Sequence, residues 1–288
     1  MIWQQIVNGV VTGGIYALVA LGLTMIYGVL RLLHVAHAGI YALGAYAGLL
    51  VYGVTHQFVV ALTAAMVICA AAGFLTQRFL YRPLMGTPPL VPLIASIGLF
   101  IFLGDAYRLA FGAQTLPFRE GLAEPTPYRV GPIAITGTQL VILGVAALLL
   151  ALTWYIINKT RLGLAWRAVA GDLEIAQAMG IDLNRSVAMN FALGSALAAA
   201  AGLLVAYHYN EVFPTMGDVP AYKMLAIVVL GGLGNPLGTV AAGFLIGLAE
   251  TLVVAFAGYL LPRDAIAFVA LIIILMIRPQ GLFARKGA

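Results

Sequence analysis

The segment TRLGLAWRAVAGDLEIAQAMGID, residues Thr160–Asp182, interrupts the apolar sequence that makes up most of this chain. The sequence on both sides is apolar over lengths that suit helices crossing a bilayer. A charged segment between two such spans must contact water or another protein, and we expect it to contact another protein. Charged residues are only 9% of the chain, and five of them lie here: Arg161, Arg167, Asp172, Glu174 and Asp182.

The composition identifies the class of protein. Of the 288 residues 63% are hydrophobic, and the mean hydropathy is +1.04. A soluble domain has about a quarter of its residues charged and about half apolar, so this chain has too few polar side chains to cover a soluble globule. We therefore expect an all-α, polytopic transmembrane helical bundle that forms a single domain over residues 1–288, with a polar loop at 158–186. The 33 glycines suit close helix packing in lipid.

The cysteine content and the net charge exclude two other classes. Cys69 is the one cysteine of the sequence, so no disulfide framework exists within the chain. The net charge of +5 comes from scattered basic residues without a basic patch. It is typical of loop asymmetry in a membrane protein and argues against a nucleic-acid partner.

The apolar runs predict about eight or nine helical passes, some of them broken. A full span needs about 20 residues, so the number depends on whether the short run Tyr222–Leu230 crosses completely, and residues 222–238 are candidates for a re-entrant segment. The first run lacks a positive n-region and is too long for a signal peptide, which predicts a retained span with its N-terminus outside. The runs are Ile6–Leu30, Ile40–Val54, Phe58–Leu80, Leu90–Phe111, Thr138–Ile157, Val187–Tyr209, Tyr222–Leu230, Thr239–Gly258 and Ala265–Ile277.

Lys and Arg set the expected orientation, because they are retained on the cytoplasmic side. With the segment 160–182 inside, ten of the 15 basic residues lie inside and five outside. The inner set is Arg31, Arg78, Arg82, Lys159, Arg161, Arg167, Arg185, Arg278, Arg285 and Lys286. The outer set is Arg108, Arg119, Arg129, Lys223 and Arg263.

The segment 160–182 itself predicts a short capped helix. Asp172 suits the N-cap, Glu174 suits the positive end of the helix dipole, and Gly180 suits the C-terminal end. Two interpretations remain open from spacing alone: an amphipathic helix on the membrane surface, or a helix that docks into a groove of a soluble partner. The apolar stripe consists of Trp166, Val169, Leu173 and Ala176.

Four segments together resemble the permease subunits of ABC importers, and in particular the branched-chain amino acid family of the high-affinity leucine/isoleucine/valine type. Glu174-Ile175-Ala176 followed by Gly180 resembles the loop motif that begins Glu-Ala-Ala, with Ile175 in place of the alanine. Val228–Gly247 resembles the Gly-Gly-x-Gly segment of the family, and Arg278–Phe283 resembles its cytoplasmic ending.

The fourth segment, Leu32–Gly48, resembles the Asn-Phe-Ala-His-Gly segment of the family. It departs at Val35 and Ala38, and His34 stands in place of the asparagine. The four segments span most of the chain and occur in the order that the family has.

The resemblance implies a permease subunit of an ATP-driven importer in the bacterial cell inner membrane, which moves branched-chain or other hydrophobic amino acids. The implied partners are a second related permease, two cytoplasmic ATPase subunits and an extracytoplasmic substrate-binding protein, in addition to membrane lipid. The segment 160–182 would couple ATPase closure to the spans. The coupling residues we expect are Arg167, Asp172, Glu174, Ala176, Met179 and Gly180.

Two glycine-rich segments are candidates for the translocation pathway. Close packing of small residues is one explanation for their glycines, and a broken helix whose free backbone groups meet a polar substrate is the other. His37 suits either a pathway lining or a helix-terminal cap. GGLGNPLG lacks the Gly-Lys-Ser/Thr ending of a phosphate loop, so no nucleotide site is expected. The pathway candidates are His37, Gly39, Gly44, Gly231, Gly232, Gly234 and Gly238.

Several alternatives remain open. A similar importer could carry urea or short amides, and an ion-coupled secondary transporter would use Glu250, an intramembrane acid without an obvious partner. A non-transporting membrane scaffold leaves the segment 160–182 unexplained. Asp105 and Arg108, one helical turn apart, predict a local ion pair. No catalytic residues, metal ligands or cofactor site are expected. The loop 112–137 is either an ordinary solvated loop or a docking surface for the binding protein, through Arg119, Glu120, Glu124 and Arg129.

Overall fold

The computed structural model describes residues 2–119, 127–130, 133–258, 262–278 and 281–283. These residues form a helical bundle with one small hairpin. The helices are α1 (Ile2–Leu30), α2 (His37–Thr55), α3 (Phe58–Thr76), a π-helix (Gln77–Tyr81), α4 (Arg82–Leu84), α5 (Leu90–Phe111), α6 (Gly137–Lys159), α7 (Arg161–Gly171), α8 (Leu173–Ala178), α9 (Leu183–Tyr209), α10 (Asp218–Gly231), α11 (Pro236–Ala257) and α12 (Arg263–Ile277). The antiparallel strands are β1 (Tyr128–Val130) and β2 (Ile133–Ile135), with Arg129 opposite Ala134.

The predicted all-α membrane bundle is confirmed. Among the described residues, seven helices are long and apolar enough to cross a membrane: α1, α2, the continuous helix 58–84, α5, α6, α9 and α11. The predicted bounds of α5 agree with the structure at both ends. The apolar run Ile40–Val54 has 15 residues, and α2 has 19 because it also includes residues 37–39 and Thr55.

The two remaining long apolar elements are shorter than a full span. α10 has 14 residues and α12 has 15, which correspond to about 21 and 23 Å of helix. A bilayer core is about 30 Å thick, so each of these two helices is shorter than the core. The strands β1 and β2 were not expected in the loop 112–137.

Hydrogen bonds at the tips of α1 define the two ends of the bundle. At one end, Gln4 accepts from the Ala134 backbone N–H (2.8 Å) and donates to the Ala134 carbonyl (2.9 Å). At the other end, the Arg31 guanidinium reaches the carbonyl of Ala170 in α7 (3.5 Å). We call these the hairpin end and the α8 end. Gln4 and Arg31 thus lie at opposite ends of the bundle, as expected if α1 crosses the membrane once.

α1 and α9 form the buried centre of the bundle, and α11, α2 and α3 pack around them. Glycines bring α1 and α11 into backbone contact. A Cβ added at Gly13 would lie 2.8 Å from the Cα of Phe244, and one at Gly243 would lie 2.8 Å from the Cα of Ala17. A Cβ at Gly247 would overlap the backbone of Gly13. This glycine seam lets the two helices approach as closely as small residues allow.

Three chain segments have irregular backbone between helices of the bundle: residues 31–36, 112–119 and 210–217. The first leads to His37, which lies beside Gly22 of α1, in the interior of that helix. The second and third pair with each other through an isolated bridge between Leu116 and Val212. Helix α2 therefore begins inside the bundle and runs towards the hairpin end.

The π-helix interrupts the long helix 58–84 near the α8 end. It carries Tyr81, which is buried and whose hydroxyl lies 2.7 Å from Nδ1 of His34. π-Bulges are rare and occur often at functional sites. Here the bulge joins the irregular segment 31–36 to the helix that follows α2.

Candidate functional site

The polar segment 160–182 folds into two short helices with a sharp break between them. Thr160 caps α7, with its hydroxyl accepting from the backbone N–H of Gly163 (3.2 Å). Asp172 ends α7 and caps α8, because its Oδ1 accepts from the N–H groups of Glu174 and Ile175 (both 2.9 Å). Gly180, with φ +84°, ends α8. The capping roles predicted for Asp172 and Gly180 are confirmed.

α7 is packed against the bundle through one face. Trp166 and Val169 are buried, and the Trp166 indole N–H donates to the carbonyl of Ser186 in α9 (2.8 Å). Gly163 has no room for a side chain, because a Cβ there would overlap the carbonyls of Ile156 and Ile157. This contact fixes the angle between α6 and α7.

α8 presents most of its side chains away from the bundle. Every residue from 171 to 180 is exposed except Ala176. Three of the exposed side chains are large and apolar: Leu173 (45% exposed), Ile175 (63%) and Met179 (79%). Exposed apolar side chains in a contiguous group mark surfaces that contact another protein or a membrane.

The continuous apolar stripe predicted for this segment is wrong at Leu173. Trp166, Val169 and Ala176 face the bundle, but Leu173 faces outward. The chain changes direction at Asp172, so helical spacing counted from α7 into α8 does not predict which residues share a face. Of the six predicted coupling residues, Arg167, Asp172, Glu174, Met179 and Gly180 are exposed, and Ala176 is buried within the subunit.

His37 and its neighbour His34 are fully buried inside the subunit. Nε2 of His37 lies 3.2 Å from the Val19 carbonyl, and the two imidazole rings are 5.8 Å apart. Ser96 of α5 accepts from the backbone N–H of Ala36 (3.0 Å), just before α2 begins. His37 therefore lies at the start of α2 and contacts α1. Its role in a pathway stays a prediction.

The six candidate pathway glycines all approach other parts of the subunit closely or adopt turn conformations. A Cβ at Gly39 would meet Leu103, and one at Gly44 would overlap Ala199. In GGLGNPLG, Gly231 and Gly238 lie against each other at the turn between α10 and α11. Gly232 (φ +91°) and Gly234 (φ +77°) make that turn. Close packing or turn geometry accounts for each of these glycines, and a part in the pathway stays a prediction.

A buried charge cluster, which the sequence did not reveal, joins α1, α10, α11 and α12. Glu250 is fully buried, and Lys223 of α10 places its Nζ 2.8 Å from Oε1. Tyr16 donates to Oε2 (2.8 Å), and Arg263 Nε lies 3.2 Å from the same oxygen. Asp264 accepts a second contact from Lys223 (2.9 Å). Glu250, which has no obvious partner in the sequence, thus has three in the structure.

The same cluster changes the charge count used for orientation. Lys223 and Arg263 were assigned to the outer set, but both pair with Glu250, which is buried in the bundle. Arg263 also borders a polar cavity of about 330 Å³ near the hairpin end. Other side chains that line this cavity are Asn8, Thr12, Gln139, Tyr209 and Thr251.

The loop near the hairpin end is only partly described. Arg119 lies over the ring of Tyr207, 4.5 Å from its centroid, and its backbone N–H donates to the side chain of Asn210 (2.7 Å). Arg129 lies on β1. Glu120 and Glu124 fall outside the described residues, as do Arg285 and Lys286. The docking role of this loop stays a prediction.

The predicted ion pair on α5 is confirmed. Arg108 Nη1 lies 3.3 Å from Oδ1 of Asp105, and both side chains are more than half exposed. Within the described ranges, no group of three or more His, Cys, Asp or Glu side chains is arranged to hold a metal ion.

Comparison with known proteins shows the family. Residues 5–277 match the family model described as branched-chain amino acid transport system / permease component. The chain is 33% identical to the high-affinity branched-chain amino acid transport system permease protein BraD of Pseudomonas aeruginosa, over 98% of this chain and 95% of BraD. It is 35% identical to the permease protein LivH of Escherichia coli K12, with the same coverage of each chain.

Two further matches are more distant. The permease protein LivM of E. coli K12 is 32% identical over 48% of this chain and 33% of LivM. A chain in the solved structure of PsaBC from Streptococcus pneumoniae in complex with Fab has the same general fold, with a TM-score of 0.50, 13% identity, and coverage of 94% of this chain and 89% of that one. The full-length matches are decisive: the chain is a multi-pass membrane protein that belongs to the family of branched-chain amino acid transport system permease components.

Proposed function

We propose that this chain is the permease subunit of an ABC importer for branched-chain or other hydrophobic amino acids, coupled to separate ATPase subunits through α7 and α8. The proposed assembly contains a second related permease, two ATPases and an extracytoplasmic binding protein. The family supports the transport role. The observation that carries the coupling role is the exposed group Leu173, Ile175 and Met179 on α8.

The geometry of the segment supports this role for two reasons. Trp166 holds α7 against the bundle, and α7 packs closely against the end of α6 at Gly163. A movement of α8 would therefore be transmitted through α7 to α6 and α9. Ile175 and Met179 also have the i, i+4 spacing of the apolar anchors that helices insert into partner grooves.

The ion-coupled alternative loses its main support. That alternative needed paired buried acids or a charge relay through the spans, with Glu250 as the candidate. The charged groups that contact Glu250 are the cations Lys223 and Arg263, and its third partner is the Tyr16 hydroxyl.

The coupling role predicts a defect in Met179→Asp and Ile175→Asp. A carboxylate in an apolar groove is costly to desolvate, so ATPase binding should weaken while membrane insertion is unchanged. We expect amino acid uptake into cells to fall about 10-fold or more, the factor for a loss of about 1.4 kcal/mol in binding. Leu162→Asp, an exposed apolar site on α7, is the control.

Recovery of the ATPases on purification and amino acid uptake together test the coupling role. Purification of the tagged chain should recover the ATPases with the wild type and with Leu162→Asp, and less of them with Met179→Asp. Normal recovery and normal uptake in both α8 variants would remove the coupling assignment. An uptake panel that includes urea distinguishes the amide importer, because the wild type would then carry urea in preference to leucine.

A second prediction concerns the turn after α8. Gly180→Val forces a β-branched residue into the left-handed region, which costs about 1–2 kcal/mol. The added side chain itself meets open space. We expect uptake to fall about 5- to 30-fold, and Gly180→Asn, which tolerates this conformation, to keep most of it. Equal uptake by the two variants would show that the turn geometry is unimportant.

A further inference from the structure

The ion pair on α5 lies on the most exposed part of the bundle. Asp105 and Arg108 keep 61% and 52% of their side chains exposed, on a helix whose other exposed side chains are mostly apolar. Charged side chains that face lipid within a span are costly, and they nearly always face protein or a water-filled cavity instead. The depth of this pair in the membrane therefore decides whether it can face lipid.

Contacts with α2 place the pair well below the hairpin end. Phe111, the last residue of α5, stacks on Tyr46 with ring centroids 4.4 Å apart. α2 continues from Tyr46 to Thr55, about 13 Å further towards the hairpin end. The Tyr107 hydroxyl donates to the carbonyl of Gly39 (2.9 Å), near the opposite end of α2. Arg108 and Asp105 thus lie beside the first half of α2, within the membrane.

Irregular backbone lies at the same depth. Residues 210–217 descend from the end of α9 to the start of α10, and Gly217 comes so close to α2 that a Cβ there would lie 2.6 Å from the Ala38 carbonyl. Irregular backbone at membrane depth is tolerated only where it is buried in protein or lines a water-filled cavity. The segment and the ion pair therefore point to the same conclusion, that this face of the bundle does not contact lipid.

A cavity of about 150 Å³ lies between these elements. Its apolar wall includes Phe100 and Ile101 of α5, and its charged groups are Asp105, Arg108 and Asp218. Gly104 lines it as well, and a Cβ added there would have no neighbour within 4 Å. The cavity is thus a groove that is open beside Gly104.

We propose that this cavity is a binding site for the amino acid zwitterion on the translocation pathway. The Arg108 guanidinium would take the substrate carboxylate, Asp105 or Asp218 would take the ammonium group, and Phe100 and Ile101 would contact the apolar side chain. A guanidinium suits this role because it binds carboxylates with two parallel hydrogen bonds. Asp105 and Arg108 neutralise each other while the site is empty. The proposal rests on the proposed function, and the second permease would close the open side of the groove.

The first test asks whether the groove contains water in the assembled importer. Single cysteines are placed at Gly104 and at Phe102 in a Cys69→Ala background that retains uptake. Phe102 is exposed and lies on the opposite side of the same helix at the same depth, so it is the control. A membrane-impermeant, negatively charged methanethiosulfonate should modify Gly104→Cys and block uptake, and should leave Phe102→Cys unmodified. An unreactive Gly104→Cys, or equal reaction at the two positions, overturns the proposal.

The second test removes the charge that would meet the substrate. Arg108→Gln should lower leucine uptake about 10- to 100-fold, the factor for the loss of one charge-assisted hydrogen bond. Arg108→Lys should retain more uptake than Arg108→Gln. ATPase activity stimulated by the loaded binding protein should persist in both, because the coupling surface on α8 is distant from this cavity. Uptake within about twofold of the wild type in Arg108→Gln contradicts the site.

Two other results distinguish failure of the binding site from failure of the proposed function. If Arg108→Gln loses the second permease during purification, the ion pair is a subunit contact and the binding site is overturned. If the wild-type complex moves no hydrophobic amino acid or contains no ATPase, the proposed function itself fails, whatever the cysteine results show.

Discussion

Glu250→Gln is expected to destabilise the subunit by about 3–5 kcal/mol, because it breaks a buried ion pair and removes the carboxylate charge that Lys223 and Arg263 share. Glu250 is fully buried and Lys223 is only 3% exposed, so water cannot replace the lost carboxylate charge. Lys223 would keep one carboxylate, Asp264, which is half exposed. The measurement is the midpoint of thermal aggregation of the purified subunit in detergent.

The control for this variant is Glu211→Gln, which neutralises an exposed carboxylate near the same end of the bundle. Exposed charges contribute about 0–1 kcal/mol, so this variant should melt close to the wild type. A double variant, Glu250→Gln with Lys223→Met, should recover part of the loss, since removing both charges of a buried pair is far less costly than removing one. If Glu250→Gln melts like the wild type, the cluster does not hold α10, α11 and α12 together.

The second large effect is expected at the glycine seam. Gly247→Leu should cost about 3 kcal/mol, because the new side chain meets the backbone of Gly13, which cannot move aside by a rotamer change. The two helices would have to separate, and in lipid no hydrophobic force between them compensates for lost contact. We expect little folded protein to survive detergent extraction, as measured by size-exclusion chromatography.

Gly144→Leu serves as the control for that experiment. Gly144 lies in the middle of α6, and a Cβ there has no neighbour within 4 Å. The substitution removes a helix glycine without introducing a clash, so the protein should remain monodisperse. A similar elution profile for the two variants would show that the close approach of α1 and α11 is not needed for stability.

The sequence predicted those features that depend on neighbouring residues. The bounds of α5, the caps at Asp172 and Gly180 and the pair Asp105–Arg108 all depend on residues within one or two helical turns. The composition alone was enough to predict a membrane-spanning helical bundle. These predictions hold because local backbone rules and hydropathy act without reference to the rest of the fold.

The features that sequence missed depend on distant residues or on a change of direction. Glu250 meets Tyr16, 234 residues away, and no periodicity connects the two. Leu173 was assigned to the wrong face because the break at Asp172 turns the chain. The depth of Arg108 within the membrane follows only from where α2 begins, and the irregular segment 31–36 sets that position.

The contact between α1 and α11 also has a consequence for synthesis of the protein. Tyr16 and Thr24 of α1 hydrogen-bond with Glu250 and Thr239 of α11, which are made more than 200 residues later. At about 5–20 residues per second, α1 waits on the order of 10–50 s for these partners. During that interval its hydroxyl groups and its glycine face are uncovered in the bilayer. α1, which is made before α11, thus completes its contacts only late in synthesis, and truncation before α11 should expose it to membrane quality control.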